Sequence, residues 1–298
     1  MTDGEESGAT VLQRLPSVTR LITEVVAPTT LVTGLLFFFG WGHAYWFFHY
    51  FGVDSASLNL SRSDYVMRSV DGLFVPLAGL AVLGLAVAWG RLLGERILPT
   101  SVRRPLGQWA PPAAAVLGVL LVLNGISALF VATIFNHGLA VAPLSFAIGI
   151  GILFYLLHRS GTAGPGWLTV TEWLAVFVLV GLTLFWAAFD YSAAVGRSRA
   201  AQFVDELTES PQTIVYSESR LNLDAPGINE VRCAGDPELA YGFRYDGLTL
   251  LWQTGDEIVL LPRSWTRRDG VAVVIPRDAG VRLEYRRGDA TTPVSASC

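Results

Sequence analysis

Four histidines and two cysteines are the side chains of this sequence best suited to holding a metal or driving nucleophilic catalysis. His43, His49, His137 and His158 lie in or beside apolar stretches, and none follows residue 158. The C-terminal part of the chain therefore lacks the imidazole that a Ser-His-Asp or Cys-His mechanism requires, and cannot build a His-ligated metal site alone. His43 and His49 are six apart, a spacing that separates them on a helix and predicts no shared metal site. Cys233 and Cys298 form no CxxC or Cys-His pattern. No GxSxG, P-loop, GxGxxG or HExxH motif occurs. The adjacent carboxylates Asp256 and Glu257 fall in a turn signal and read as solvated turn charge. The sequence thus predicts no catalytic, cofactor-binding or metal site and a protein that is not an enzyme.

The elements around these residues are those of a membrane protein. Pro105 to His158 contains no Asp, Glu, Lys or Arg, and one span needs only about 20 apolar residues. Asn136-His137-Gly138 reads as a turn dividing this run into two spanning helices. Charged residues make up 15% of the chain, against about 25% in a soluble domain, and the deficit is concentrated in such runs. Five spans are predicted, near 28–51, 72–90, 112–135, 139–157 and 167–189. Pro99 and Pro105 are expected to stop regular structure before the third. Leu12, Leu15, Val18, Leu21 and Ile22 form a helical stripe, so residues 1–27 read as a cytoplasmic segment with an interfacial helix. Trp41 to Phe51 is rich in aromatic rings and reads as an anchor at the membrane-water boundary. Arg14, Arg20, Arg91, Arg96, Arg103, Arg104 and Arg159 fall on one side of such a bundle, and only Arg62 and Arg68 on the other. That bias places the N-terminus in the cytoplasm and, after five passes, the C-terminus outside. Net charge is −4 and no basic run occurs, which excludes a nucleic-acid partner.

After Asp190 the pattern changes. The fifth helix is predicted to continue as a stalk over 191–210, ended by Pro211. Residues 211–298 then alternate with the period of strands. Tyr241, Phe243 and Tyr245 share a face, Asp246-Gly247 is the preferred hairpin dipeptide, and Leu248, Leu250 and Trp252 share a face on the return strand. Thr254-Gly255-Asp256 turns into 258–261, and strands near 271–275 and 281–285 complete an antiparallel meander. The fold class expected is a membrane-embedded α-helical bundle over 28–190 followed by a small extracytoplasmic antiparallel β domain. Cys233 and Cys298 both fall outside the cell in this topology, where a disulfide can form; two free thiols are the alternative.

The segments Tyr50-Phe51-Gly52-Val53-Asp54, Ser63-Asp64-Tyr65 through Arg68-Ser69-Val70, and Tyr245-Asp246-Gly247-Leu248 through Leu260-Leu261-Pro262 with Trp265 carry a resemblance. They resemble an uncharacterised family of multi-pass membrane proteins from high-GC Gram-positive bacteria. The resemblance implies a location in the cell envelope and no catalytic residue.

The connector after the first span offers the best candidate for a partner site. Ser61 and Asp64 have capping-box spacing, and Asp64 and Arg68 are four apart on the helix that follows. Asp54, Arg62, Asp64, Arg68, Asp71, His137 and Asp190 are gathered by the predicted topology at one membrane surface. They form the candidate site where the β domain docks and where a ligand or partner would bias it. The function expected is sensing, binding or assembly at the inner membrane, with the bilayer as partner beside a homo-oligomer or an envelope protein. An oligomeric channel is the alternative, and an enzyme acting on a lipid-borne substrate the third.

Overall fold

The structure, a computed structural model, describes residues 27–97, 100–131, 133–136, 138–159, 166–233, 240–277 and 280–287. The N-terminal stripe, His137, Asp278, Ala279 and Cys298 lie outside the described residues. Among the described residues, five helices precede the strands: α1 (Ala27–Tyr50), α2 (Arg62–Ile97), α3 (Thr100–Ser127), α4 (Val141–Arg159) and α5 (Gly166–Asp205). Six strands follow among these residues: β1 (Gln212–Ser217), β2 (Asn229–Arg232), β3 (Phe243–Gln253), β4 (Glu257–Pro262), β5 (Val273–Pro276) and β6 (Val281–Arg286). The chain divides into a helical unit, Met1–Gly40 with Ser69–Tyr191, and a sheet unit, Trp41–Arg68 with Ser192–Cys298.

Among the described residues, four helices are long and apolar enough to cross a membrane: Thr29–Tyr50, Trp109–Ser127, Val141–Arg159 and Leu168–Asp205. In α2 the apolar core, Pro76–Gly90, is shorter. Along these helices Val82, Leu85, Leu120, Leu123, Leu174 and Leu182 are exposed. Apolar residues on all sides of a helix are what a hydrocarbon solvent selects.

Within the helical unit, α3 and α4 pack through small residues. A Cβ on Gly149 would stand 2.7 Å from the Gly118 carbonyl oxygen, and one on Gly125 would stand 2.5 Å from Phe146 Cβ. Close backbone approach through glycine is the usual device where lipid supplies no hydrophobic drive to pair helices. Asn124 Nδ2 donates across this contact to Ser145 Oγ at 3.2 Å. Two expectations change here. Pro105 lies inside α3, in its second turn and ahead of the candidate span Trp109–Ser127, where a proline removes one ladder bond without ending the helix. The helix also ends at Ser127, short of Phe135. Asn136 closes the chain beyond it: its Nδ2 donates to Ser127 Oγ and the Val131 carbonyl, and its Oδ1 accepts from Thr133 N. These bonds take up polar groups that would otherwise continue the helix.

In the sheet unit the expected simple meander is corrected. β3, β4 and β5 form one, but the strand order is β5-β4-β3-β1-β6, with β2 also on β3. All pairings are antiparallel, and β6 crosses to the far edge beside β1. Asp246-Gly247 is not a hairpin turn; it lies inside the 11-residue β3. There two residues face one on β1, between the pairs Thr213–Leu248 and Val215–Tyr245, a bulge. Gly247 has φ +87°, and a Cβ on it would collide with the Gly227 carbonyl oxygen. The bulge lets β2 and β4 share one edge of β3 end to end, β2 along 243–246 and β4 along 248–253. Beside it, Arg244 and Asp246 form a buried ion pair at 3.0 Å. A second irregularity lies between Leu250 and Trp252. It moves Trp252 away from Leu248 and Leu250, so these three do not share a face.

Both faces of the sheet are covered. Ile258 and Leu260 join Val215, Tyr245 and Leu248 on one side, where Leu221, Leu223 and Ile228 pack over them. Val259 and Leu261 join Leu251 on the other, against Phe47 and Phe48 of α1, Phe51 just after it, and Ala200 of α5. This corrects the reading of Trp41–Phe51 as only an interfacial belt: Phe48 and Phe51 are core residues of the sheet unit. It also means that 191–210 is not a free stalk, because Ala200, Phe203, Val204 and Leu207 belong to the same core. Cys233 is disulfide-bonded.

Candidate functional site

The connector between α1 and α2 is built by local rules. α1 ends in a Schellman motif: Gly52 N bonds the His49 carbonyl at 3.1 Å and Val53 N the Phe48 carbonyl at 3.1 Å. Gly52 takes φ +75°, as the motif requires. Asp54 then makes an Asx turn through Ala56 N to its Oδ1 at 3.0 Å. Ser61 and Asp64 form the reciprocal capping box, Ser61 N to Asp64 Oδ2 at 2.9 Å and Asp64 N to Ser61 Oγ at 3.2 Å. With its carboxylate committed to the cap, Asp64 forms no salt bridge with Arg68 among the described residues, and their influence on each other is through space only.

Arg68 lies instead among aromatic rings. Its guanidinium carbon is 4.0 Å from the centroid of Trp252 and 5.2 Å from those of Phe47 and Phe48. Its Nε is buried without a hydrogen-bond partner. Desolvation pushes the guanidinium down to about 10, against opposing support from Asp64 and Tyr65, so it remains cationic at neutral pH. A cation over the face of a ring is held by the ring quadrupole, by about 0.5–2 kcal/mol as it is desolvated. Arg68 therefore joins the first turns of α2 to α1 and to the end of β3.

Of the seven residues singled out in the sequence, Asp54, Arg62, Asp64 and Arg68 belong to the sheet unit. Arg62 is exposed at the first turn of α2. Asp190 belongs to the helical unit, where its Oδ2 accepts from Ala140 N at 2.7 Å, at a residue with φ 55°. Asp71 lies within α2, and His137 is outside the described residues. Four of the seven thus share a unit, but only Arg68 is seen to meet the sheet.

Sequence reasoning missed a second feature of the sheet unit, a pocket of about 300 Å³ beside the end of α1. Its walls come from three places: Trp46, His49 and Tyr50 on α1, Arg197 on α5, and Trp265 and Arg267 on the β4–β5 loop. Gly196 lets α5 approach α1, since a Cβ there would stand 2.8 Å from the His43 carbonyl oxygen. That approach sets Arg197 over Trp46, 3.9 Å from the ring centroid. Arg267 sits 4.9 Å from the Tyr50 centroid. His49 stacks on Tyr45 with centroids 5.6 Å apart. The signal in the sequence was the arginine beside a helical glycine. It could not be connected to Tyr50 or Arg267, because the three segments are remote along the chain.

The cage and the cap separate cleanly in a test. Arg68→Ala should speed protease cleavage within the sheet unit, because it removes a cation–π contact and leaves space among three rings. Asp64→Ala should cost about 1 kcal/mol as a lost cap, and Arg62→Ala should behave as the parent. Equal cleavage rates for Arg68→Ala and Arg62→Ala would show that the cage carries no weight.

No family model matches this chain, and neither a curated protein nor a solved structure matches it.

Proposed function

We propose that the protein is a five-pass inner-membrane protein that displays its sheet unit outside the cell for sensing, binding or assembly, without catalysis. The observation that carries this reading is the make-up of the sheet unit's core. The end of α1, the start of α2 and the end of α5 all belong to that unit, while the rest of each helix belongs to the other. A ligand or partner on the sheet unit therefore acts on segments continuous with three apolar helices. At 1.5 Å per residue, the 40 residues of α5 span about 60 Å, roughly twice the hydrocarbon thickness. Such a helix has length to spare beyond the bilayer. α2, at 36 residues, likewise has the length for a crossing around its shorter apolar core. Five crossings with the arginine bias set the sheet unit opposite the N-terminus. The family resemblance supports an envelope location, and the partners on this reading are the bilayer and a second envelope protein or further copies of the chain.

Orientation and silence test the reading together. A cysteine introduced at Asp256 should react with an impermeant thiol reagent in intact cells, while one introduced at Arg96 should react only after permeabilisation. Purified protein in planar bilayers should pass no stepwise current. The opposite labelling pattern would overturn the topology, and unitary conductance would replace the binding module with a channel.

A further inference from the structure

The pocket at the end of α1 has a composition that selects its ligand. We infer that it binds the phosphate of a phosphate ester, either a phospholipid headgroup or a soluble compound; this rests on the reading of the protein as a binding module. Two guanidinium groups and one imidazole line it, and among the described residues no carboxylate does. Arg197 and Arg267 have ring contacts as their only partners among the described residues. Stacking holds a guanidinium by its face and leaves the N–H donors at its edge free to bind an anion. Three cationic or proton-donating groups from three segments suit the multiple oxygens of phosphate, which arginine binds in bidentate fashion. A single carboxylate would leave part of that set unmatched.

Two further observations point the same way. The Trp265 indole N–H is buried and has no acceptor. The loop closes tightly on this indole edge: a Cβ on Gly270 would collide with Trp265 Nε1 and the Thr266 carbonyl oxygen, so a glycine is required there. The volume, about 300 Å³, lies at the small end of ligand sites, about 300–1,000 Å³, and suits a headgroup better than a whole lipid. Tyr50, in the pocket wall, is also the last residue of the candidate span Thr29–Tyr50, the depth at which headgroups lie.

The test uses the full chain in phosphate-free maltoside micelles, with tryptophan fluorescence as the readout for Trp46 and Trp265. One arm titrates short-chain phosphatidylglycerol, a second glycerol 1-phosphate, and a third sodium chloride at matched ionic strength. Saturable change in the first or second arm is expected, with affinity at least tenfold weaker in the double variant Arg197→Gln, Arg267→Gln. Arg268→Gln, next to the pocket but not lining it, should bind as the parent. Saturation in the lipid arm alone assigns the headgroup of a bilayer lipid, and equal saturation in both assigns a soluble phosphate ester. No saturation in either arm, or equal affinity in the double variant with its circular dichroism unchanged, overturns the site. That failure would leave the labelling pattern and the absence of current untouched, so the two readings fall separately.

Discussion

Gly247→Ala is expected to unfold the sheet unit or leave it protease-sensitive at ordinary temperature. The position has φ +87°, which an L side chain resists at about 1–3 kcal/mol. The larger effect is steric. The added Cβ would collide with the Gly227 carbonyl oxygen, and both partners are backbone, so no rotamer can relieve it. The same residue uses its carbonyl to accept from Arg263 N at 2.8 Å, which ties it to the end of β4. The combined cost should be on the order of 3 kcal/mol or more, as for other substitutions incompatible with the native backbone. Gly255→Ala is the control, because a Cβ there meets nothing within 4 Å. Thermal melting of both variants in detergent, followed by limited proteolysis, gives the comparison. Equal melting temperatures would remove the bulge from the list of structural necessities.

Phe48→Ala carries the second large effect. Phe48 is fully buried, forms one wall of the Arg68 cage, and meets Trp252 edge-on with centroids 6.3 Å apart. Its carbonyl closes the Schellman motif with Val53, which packs in the same core. Removing the ring should cost about 3–5 kcal/mol, the usual range for a buried aromatic cut to alanine. It should also reduce the penalty of a following Arg68→Ala, since the cage would already be open; a double-mutant cycle measures that coupling. Trp41→Ala, at a residue 39% exposed, should cost much less. A Phe48→Ala protein that melts with the parent would mean that α1 is not part of the sheet unit's core.

Local and compositional features were readable without the fold. Charge-free runs such as 105–158 declare apolar helices, because a bilayer admits few other residues. Gly52 after an aromatic run, and Ser61 three residues before Asp64, are start and stop signals that depend on neighbouring backbone alone. The alternation after Pro211 declares strands for the same reason. The tertiary structure decided everything that depends on which distant segments meet. Asp246-Gly247 has hairpin chemistry in isolation, but Gly227 and β1 approach it so closely that the glycine becomes a bulge inside a long strand. The rings of Trp41–Phe51 suit a membrane boundary by composition, yet three of them pack against strands two hundred residues later. Arg68 had Asp64 one turn before it on the helix as a candidate partner; the cap took the carboxylate, and Trp252 supplied the contact instead. Arg197, Trp265 and Arg267 were invisible as a site for the same physical reason. Spacing rules describe neighbours within one helix or strand, whereas a pocket is formed by the packing of several.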